Sequence, residues 1–389
     1  MTTDAVGGVW GYSLELAAGL TQHGAEVLLA TLGPAPSEQQ IKQAAALSGV
    51  TLRTGGFALE WMLDSWEDVD ASGRWLLDLQ EQYRANLIHL NGYCHASLPW
   101  HAPVVVAAHS CVYSWWRAVH GTPPGGEWDE YWRRVSDGLS AADAVVCPSE
   151  FMARAIQGEY GTASEKIRVI HNFLPDAANP AHGEKQPFFL GAGRVWDKAK
   201  NFALLDHIAA KLAWEIRVAG GNQDPDGSER NARHLKLLGA LDHARLLDLM
   251  KSAAVFVHPA LYEPFGLSVL EAARARCALV LADIPSLREL WDGAAVFVNP
   301  RDPDAWTFEL DQLSRDREKR ERLAGAAFSH AARYEAQRAV SAYCALYAEL
   351  IRQKREQQPT SPCLRAGFRS RALTLPALCQ ARTVRSRYQ

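Results

Sequence analysis

The sequence predicts an α/β protein made of two doubly wound parallel-sheet domains, and three observations carry that reading. The chain has 389 residues, more than the roughly 250–300 that one hydrophobic core organises. Short, continuously apolar, β-branched runs alternate with longer segments of helical period. Continuous runs mark strands buried on both faces, and their alternation with helices marks crossover connections. Between the halves, 175–187 (PDAANPAHGEKQP) has no period and is rich in Pro, Ala and charge, as a linker is.

Taken in order, the chain reaches Gly7-Gly8 after only MTTDAV. A doubly wound domain normally feeds such a turn from an apolar strand. The first strand is therefore expected to be missing or reduced to a stub, leaving either a start further upstream or a gap at the centre of the N-terminal sheet, with lowered stability. Helical period follows over Val9–His23. The next clear strands are Val104–Ala108, Ala144–Cys147 and Ile167–Ile170, with a helix over Phe151–Tyr160. Beyond the linker come strand Phe188–Leu190, helix Phe202–Leu212, strand Glu215–Ala219, helix Ala244–Ser252, strand Ala254–Val257, helix Leu267–Arg276, and strands Ala278–Ala282 and Ala295–Val298. Amphipathic helices fill roughly 303–353. The predicted organisation is an N-terminal doubly wound domain (1–174) whose first strand is missing or truncated, a linker (175–187), a second doubly wound domain (188–334), a helix returning towards the first domain (335–355), and a basic tail (356–389). The tail has no core pattern and is expected to be disordered.

Composition narrows the function classes. With 48% hydrophobic and 22% charged residues the chain is an ordinary globular protein. A formal net charge of -3 gives no reason to expect nucleic acid. The charge is uneven: 354–389 hold eight Lys/Arg and one Glu, leaving -10 on the rest. That tail offers a contact to anionic lipid, although a solvated extension explains it more simply. Seven scattered cysteines without a Cys-x-x-Cys pair argue against a zinc site or disulfide framework. No apolar run reaches the ~18 residues that span a bilayer, and the N-terminus does not read as a signal peptide. The expected location is the cytoplasm, with the inner membrane face as a peripheral option.

Polar residues gather where strands end, at His109, Ser149, Asn172, Arg194, Gly220-Gly221 and His258-Pro259. Ligands of open parallel sheets bind outside the carboxyl ends of the strands, so two domains face to face would put these positions in one cleft. The sharpest segment is His258–Glu271, HPALYEPFGLSVLE, with Glu263 and Glu271 separated by seven residues. Pro264 suits a first helical turn. Phe265, Gly266 and Leu267 would then present free amides to an anion at the helix start, and Glu271 would lie one turn further on. Two carboxylates beside an anion site make sense only as acceptors for neutral polyol hydroxyls. GAGRVWDKAKN supplies the cations Arg194 and Lys200, suited to a diphosphate; Lys198 is expected to be solvated. Gly7-Gly8 could bring amides to a phosphate or sugar, although an ordinary turn explains it equally well. Trp115-Trp116 and the Trp128–Trp132 stretch could stack on a sugar, with packing beneath a loop as the simpler explanation.

In order along the chain, these segments resemble the retaining glycosyltransferases of family 4, the glycogen synthase and sucrose synthase-like enzymes. The Glu-x7-Glu segment with its internal Pro-Phe-Gly-Leu is the most specific part. The resemblance implies a GT-B fold: two Rossmann-like domains facing a central cleft, with a nucleotide-diphosphate sugar held mainly by the second. It implies catalytic positions at His109, Arg194, Lys200 and Glu263. Gly8, Asn172, Arg194, Lys200, Glu263, Phe265, Gly266, Leu267 and Glu271 are the implied donor-binding positions, with Glu271 on the ribose and His109 near the transferred sugar. Gly7 and Gly8 would form the acceptor-side glycine loop. Arg194 and Lys200 are six apart, where five is commoner, which predicts a bulged loop. The expected activity is a retaining hexosyltransferase reaction in polysaccharide or glycoconjugate synthesis, with a saccharide, lipid-linked or small-molecule acceptor. No cofactor and no metal ion are expected, since no Asp-x-Asp motif is positioned for one. A GT-B sugar-nucleotide epimerase and an inactive, truncated sugar-nucleotide-binding protein are the alternatives.

Overall fold

The structure, a computed structural model, describes residues 1–175, 184–223 and 231–357. The N-terminal part runs β1 (Thr2–Asp4), α1 (Gly8–Gln22), β2 (Val27–Leu32), α2 (Glu38–Ala45), β3 (Val50–Thr54), α3 (Trp66–Tyr83), β4 (Ile88–Leu90), β5 (Val104–Ala107), α4 (Val112–His120), α5 (Asp129–Ala141), β6 (Ala144–Cys147), α6 (Glu150–Tyr160) and β7 (Ile167–Val169). The second part runs β8 (Gln186–Ala192), α7 (Phe202–Ala209), β9 (Ile216–Ala219), β10 (Lys236–Leu237), α8 (His243–Ser252), β11 (Ala253–His258), α9 (Leu267–Arg274), β12 (Ala278–Ala282), α10 (Pro285–Trp291), β13 (Val296–Val298), α11 (Pro303–Arg315), α12 (Arg317–Ala331) and α13 (Ala336–Gln357).

Among the described residues every strand pairing is parallel, in the orders β1-β2-β3, β4-β5-β6-β7 and β10-β9-β8-β11-β12-β13. The six-stranded sheet has its most apolar strands at the centre. β11 and β12 are buried along their whole length, and the core around them closes over Phe188, Phe189, Phe256, Trp291 and Trp306. Continuous apolar runs produce that burial because helices cover both faces.

The first strand is present as a three-residue stub that pairs with β2 from Thr2 to Asp4. The N-terminal strands form two separate ladders, and the break falls between β1 and β4. Asn91, just after β4, closes it: its backbone N–H donates to Thr2 Oγ1 at 2.9 Å and its Nδ2 to the Thr2 carbonyl at 2.7 Å. One residue thus satisfies groups that a ladder would have paired.

α13 returns to the N-terminal domain. Tyr343, Leu346 and Leu350 join Tyr12, Leu16, Leu20, Val105 and Val146 in one buried cluster, and Tyr12 Oη donates to Tyr343 Oη at 2.5 Å. Leu174 bridges to Glu335 where the chain re-crosses. Of the expected linker, Gln186 and Pro187 already belong to β8, and residues 176–183 lie outside the described residues. Of the expected tail, Glu356 and Gln357 finish α13, and 358–389 lie outside the described residues.

Candidate active site

The carboxyl ends of the two sets of strands meet. Ser149 Oγ donates to the Pro264 carbonyl at 2.7 Å while also capping α6 through the Met152 amide. Glu289 of α10 accepts from the Glu150 and Phe151 amides at 2.7 and 2.8 Å, a carboxylate on the positive end of α6. Ser114 Oγ and Tyr262 Oη share a 2.7 Å hydrogen bond. His109 lies upstream of Ser114 on the chain and Glu263 directly follows Tyr262, so this contact draws the two ends together.

The loop after β8 is shaped by tight backbone contacts. Gly220 has φ of 152°, and a Cβ there would lie 1.8 Å from the Gly193 carbonyl oxygen, so only glycine fits. Asp197 then accepts from the Ala199 amide at 2.9 Å and starts a 3-10 turn over Lys198–Lys200. This turn is how six residues fit between Arg194 and Lys200. Asn201, left-handed at φ 55°, donates through Nδ2 to the Pro259 and Pro300 carbonyls at 3.0 and 2.9 Å. The Leu261 amide donates to the Ala199 carbonyl at 2.7 Å. Together these bonds pin the loop against the end of β11 and bring Lys200 to Glu263.

Lys200 Nζ donates to Glu263 Oε2 at 2.7 Å, and His258 Nε2 donates to the same oxygen at 3.0 Å. Burial works against the Glu263 carboxylate, but Lys200 and His258 outweigh it and hold the carboxyl well below its ordinary value. Burial pushes His258 down, so its ring is neutral, with Nε2 protonated and a buried Nδ1 that has no partner among the described residues. Glu263 Oε1 takes no hydrogen bond from a described residue and stays available to a ligand hydroxyl.

Arg194 Nη2 donates to Asp197 Oδ2 at 2.8 Å, and the guanidinium stands over the Trp196 ring 5.0 Å from its centroid. Asp197 Oδ1 also accepts from Trp115 Nε1 across the cleft, at 3.3 Å. The Arg194 side chain is 42% exposed, which leaves donors free for an anion. A Cβ on Gly7 would sit 3.9 Å from Arg194 Nη1, and one on Gly8 would sit 3.3 Å from Leu267 Cδ1. Neighbouring Cα atoms are about 3.8 Å apart, so the glycine loop brackets Arg194 and the start of α9 together.

The helix starts at Leu267 as the sequence predicts, but Pro264 is not part of its first turn. Pro264 precedes the helix; α9 begins at Leu267 with Gly266 as N-cap, left-handed at φ 87°. A proline at 264 still sets the turn, and the shift leaves the Phe265, Gly266 and Leu267 amides donating to no described acceptor. Glu271, one turn into α9, shares a 2.8 Å hydrogen bond with His243 Nε2. That bond, with the charges of Glu271 and Glu15, raises the His243 pKa.

His109 stands at the end of β5, partly buried, with its Nε2 2.8 Å from Asn91 Oδ1 and its ring edge-on to Tyr12. Burial pushes its pKa down to about 4. Asn172 is buried beside Phe173, and among the described residues it makes no hydrogen bond to the Arg194, Lys200 and Glu263 group. Lys198 is exposed. Asp197 and Asn91 do not stand out in the sequence, and His258 does so only as a strand-end residue; each acts through a partner the local sequence does not name. Among the described residues no cluster of three or more His, Cys, Asp or Glu side chains is arranged to hold a metal ion, and no helix is long and apolar enough to cross a membrane.

Two family models divide the chain at this cleft. Glycosyltransferase Family 4 matches residues 6–177 and glycosyl transferases group 1 matches 175–330. The chain belongs to glycosyltransferase family 4. Family 4 membership agrees with the layout of two parallel-sheet Rossmann-like domains, the GT-B fold. A curated relative, the O-antigen chain mannosyltransferase RfbU of Salmonella typhimurium, is 27% identical over 43% of this chain. The chain spans about half the length of that relative, 50%. Sucrose-phosphate synthase from Thermosynechococcus elongatus superposes with a TM-score of 0.72 at 16% identity, covering 90% of this chain and 99% of that one. HepE of Anabaena, in complex with UDP and glucose, superposes with a TM-score of 0.67 at 15% identity over 90% of this chain and 99% of its own. At these identities the two structures establish the fold.

Proposed function

We propose that the chain is a retaining hexosyltransferase that moves a sugar from a nucleotide diphosphate to an acceptor hydroxyl in polysaccharide or glycoconjugate synthesis. The observation that carries this is the Lys200–Glu263–His258 group beside the Phe265–Leu267 amides, which meet no acceptor among the described residues, with Arg194 held nearby by Asp197. Cations and amides suit a pyrophosphate; Glu263 Oε1 suits a sugar hydroxyl; Glu271 suits the ribose. HepE, which shares the fold, has been seen with UDP-glucose, and this supports a uridine diphosphate sugar as donor.

The reaction runs by substitution on one face of the sugar. The bond from the anomeric carbon to the diphosphate oxygen breaks with its electron pair on the diphosphate. The acceptor oxygen bonds to the same face of the oxocarbenium-like carbon, and its proton passes to the departing diphosphate oxygen. Arg194, Lys200 and the helix-start amides stabilise the developing negative charge, contacts typically worth about 3–4 kcal/mol each. Asp197 and Glu263 hold the two cations in place before the donor arrives, so little reorganisation is left for the reaction itself.

The test is a panel of nucleotide sugars, read by thermal shift and then by transfer to saccharide, lipid-linked and small-molecule acceptors. A stabilising donor that yields a glycosylated acceptor with retained configuration supports the reading. A chain that binds none of the donors refutes it.

A further inference from the structure

The amide oxygen of Asn91 stands between two imidazoles. Its Nδ2 faces the Thr2 carbonyl at 2.7 Å and Ser13 Oγ at 3.1 Å. A carbonyl only accepts, so the atom facing Thr2 must be the nitrogen and the other must be Oδ1. Oδ1 then accepts from His109 Nε2 at 2.8 Å and lies 3.3 Å from His89 Nε2. On the far side of His89, Tyr347 Oη of α13 is 2.5 Å from Nδ1. Each ring is therefore protonated on Nε2. His89 spends its Nδ1 on Tyr347, whereas His109 Nδ1 meets no described residue.

We propose that Asn91 is a positioning residue of the transfer site: by taking the Nε2–H of His109 it reserves Nδ1 as a hydrogen-bond acceptor for a hydroxyl of the bound sugar. This rests on the glycosyltransferase reading and on the place near the transferred sugar that the family resemblance implies for His109. The chain from Tyr347 through His89 to Asn91 fixes the amide from behind, and the Thr2 contacts fix it from the side. Glu60 braces the same loop by accepting from the Tyr93 and Cys94 amides at 2.9 Å each, and Tyr93 Oη reaches the Ser110 carbonyl at 2.7 Å. Only a neutral ring can fill this role, since a ring protonated on both nitrogens would have no acceptor to offer. Burial keeps both imidazoles neutral, lowering His109 to about 4 and His89 to about 3.

The experiment reads the His109 tautomer directly, by nitrogen-15 correlation spectra of the full unliganded chain at pH 7, with His109→Gln to assign the signal. The wild-type ring is expected to be protonated on Nε2. Asn91→Ala releases it to a mixture or to the Nδ1–H form. Asn91→Asp keeps an acceptor oxygen and so retains Nε2–H, although it gives up the donor to the Thr2 carbonyl and its charge favours a ring protonated on both nitrogens. Thr2→Val removes the Oγ1 that accepts the Asn91 backbone N–H and leaves the Thr2 carbonyl on Nδ2 and the ring untouched, so it controls for lost stability and keeps the tautomer. In transfer assays Asn91→Ala lowers kcat by about 10–100-fold, the scale seen for partners that orient metal-bound imidazoles, with a smaller change in donor KM. A wild-type ring protonated on Nδ1, or an Asn91→Ala spectrum identical to wild type, overturns the proposal. Because the spectrum needs no ligand, its failure and a failure of the glycosyltransferase reading appear in different measurements.

Discussion

Replacing Lys200 by Met should separate what this lysine does for the fold from what it does for the reaction. Lys200 Nζ and Glu263 Oε2 are 2.7 Å apart, with side chains only 18% and 12% exposed. At an effective dielectric of about 20 the attraction at that distance is about 6 kcal/mol, most of it offset by the dehydration of both groups. Removing one partner of a buried pair commonly costs about 3–5 kcal/mol; with a fifth of the lysine still in water, about 2–4 kcal/mol is expected at pH 7. The pH dependence has a definite sign. In the wild type the Glu263 carboxyl is held low, so its contribution is present above the unfolded value near 4.3 and is lost only as pH falls through the lower folded value. In Lys200→Met burial is opposed by His258 alone, the carboxyl titrates higher, and protonation relieves the variant. The stability gap is therefore widest at neutral pH and narrows below about pH 5. Lys200→Met/Glu263→Gln should regain most of the lost stability, because no buried charge is left alone, while turnover stays about 10²–10³-fold down. Urea unfolding at pH 7 and pH 4.5 decides it. A single variant as stable as wild type at pH 7, or a gap that does not close in acid, shows that the pair does not act in this way.

Three further outcomes follow from the geometry. The His243–Glu271 bond raises the His243 pKa and occupies the carboxylate expected to meet the ribose; if ribose displaces the ring, donor binding releases a proton and donor KM falls as pH rises from about 6.5 through the raised value, and a flat KM profile there, or one unchanged in His243→Gln, counts against it. Gly220→Ala drives a Cβ to 1.8 Å from the Gly193 carbonyl oxygen; it should cost about 3 kcal/mol or more with a matching drop in the melting temperature, and a variant melting like wild type contradicts the close approach. Glu289→Ala strips the carboxylate from the start of α6; it should weaken the contact between the domains by about 1–2 kcal/mol and shift small-angle scattering towards wider forms, whereas an unchanged profile shows that the contact does not hold the cleft.

The second domain is legible in the sequence because its strands are buried on both faces: Ala278–Ala282 and Ala253–His258 are unbroken apolar runs. The first hundred residues are harder to read. β1 and β4 have three residues each, and β3 is a largely exposed edge strand whose Thr and Arg residues blur its pattern. The two-residue β10 is equally hidden. At the site, Arg194, Lys200, Glu263 and Phe265–Leu267 are visible because glycine, proline and charge stand together in short segments. The start of α9 at Leu267 is read correctly, and only Pro264 is misplaced, because a proline suits a first helical turn and the bend before one alike. Asn91 stays invisible for a different reason: its partners, Thr2 and His109, lie 89 and 18 residues away, and no local pattern announces a contact made only by folding. Asp197 is easily overlooked beside the cations it holds.

Whether Arg194 and the start of α9 grip one pyrophosphate can be read by calorimetric titration of UDP and UMP into the wild-type chain and Arg194→Ala. UDP is expected to bind the wild type, and UMP distinctly more weakly. Arg194→Ala should weaken UDP by about 10–100-fold, the scale of one charge-assisted hydrogen-bonded contact, while leaving UMP nearly unaffected. Equal affinities of wild type and variant for UDP, or no preference for the diphosphate over the monophosphate, would contradict a shared pyrophosphate grip.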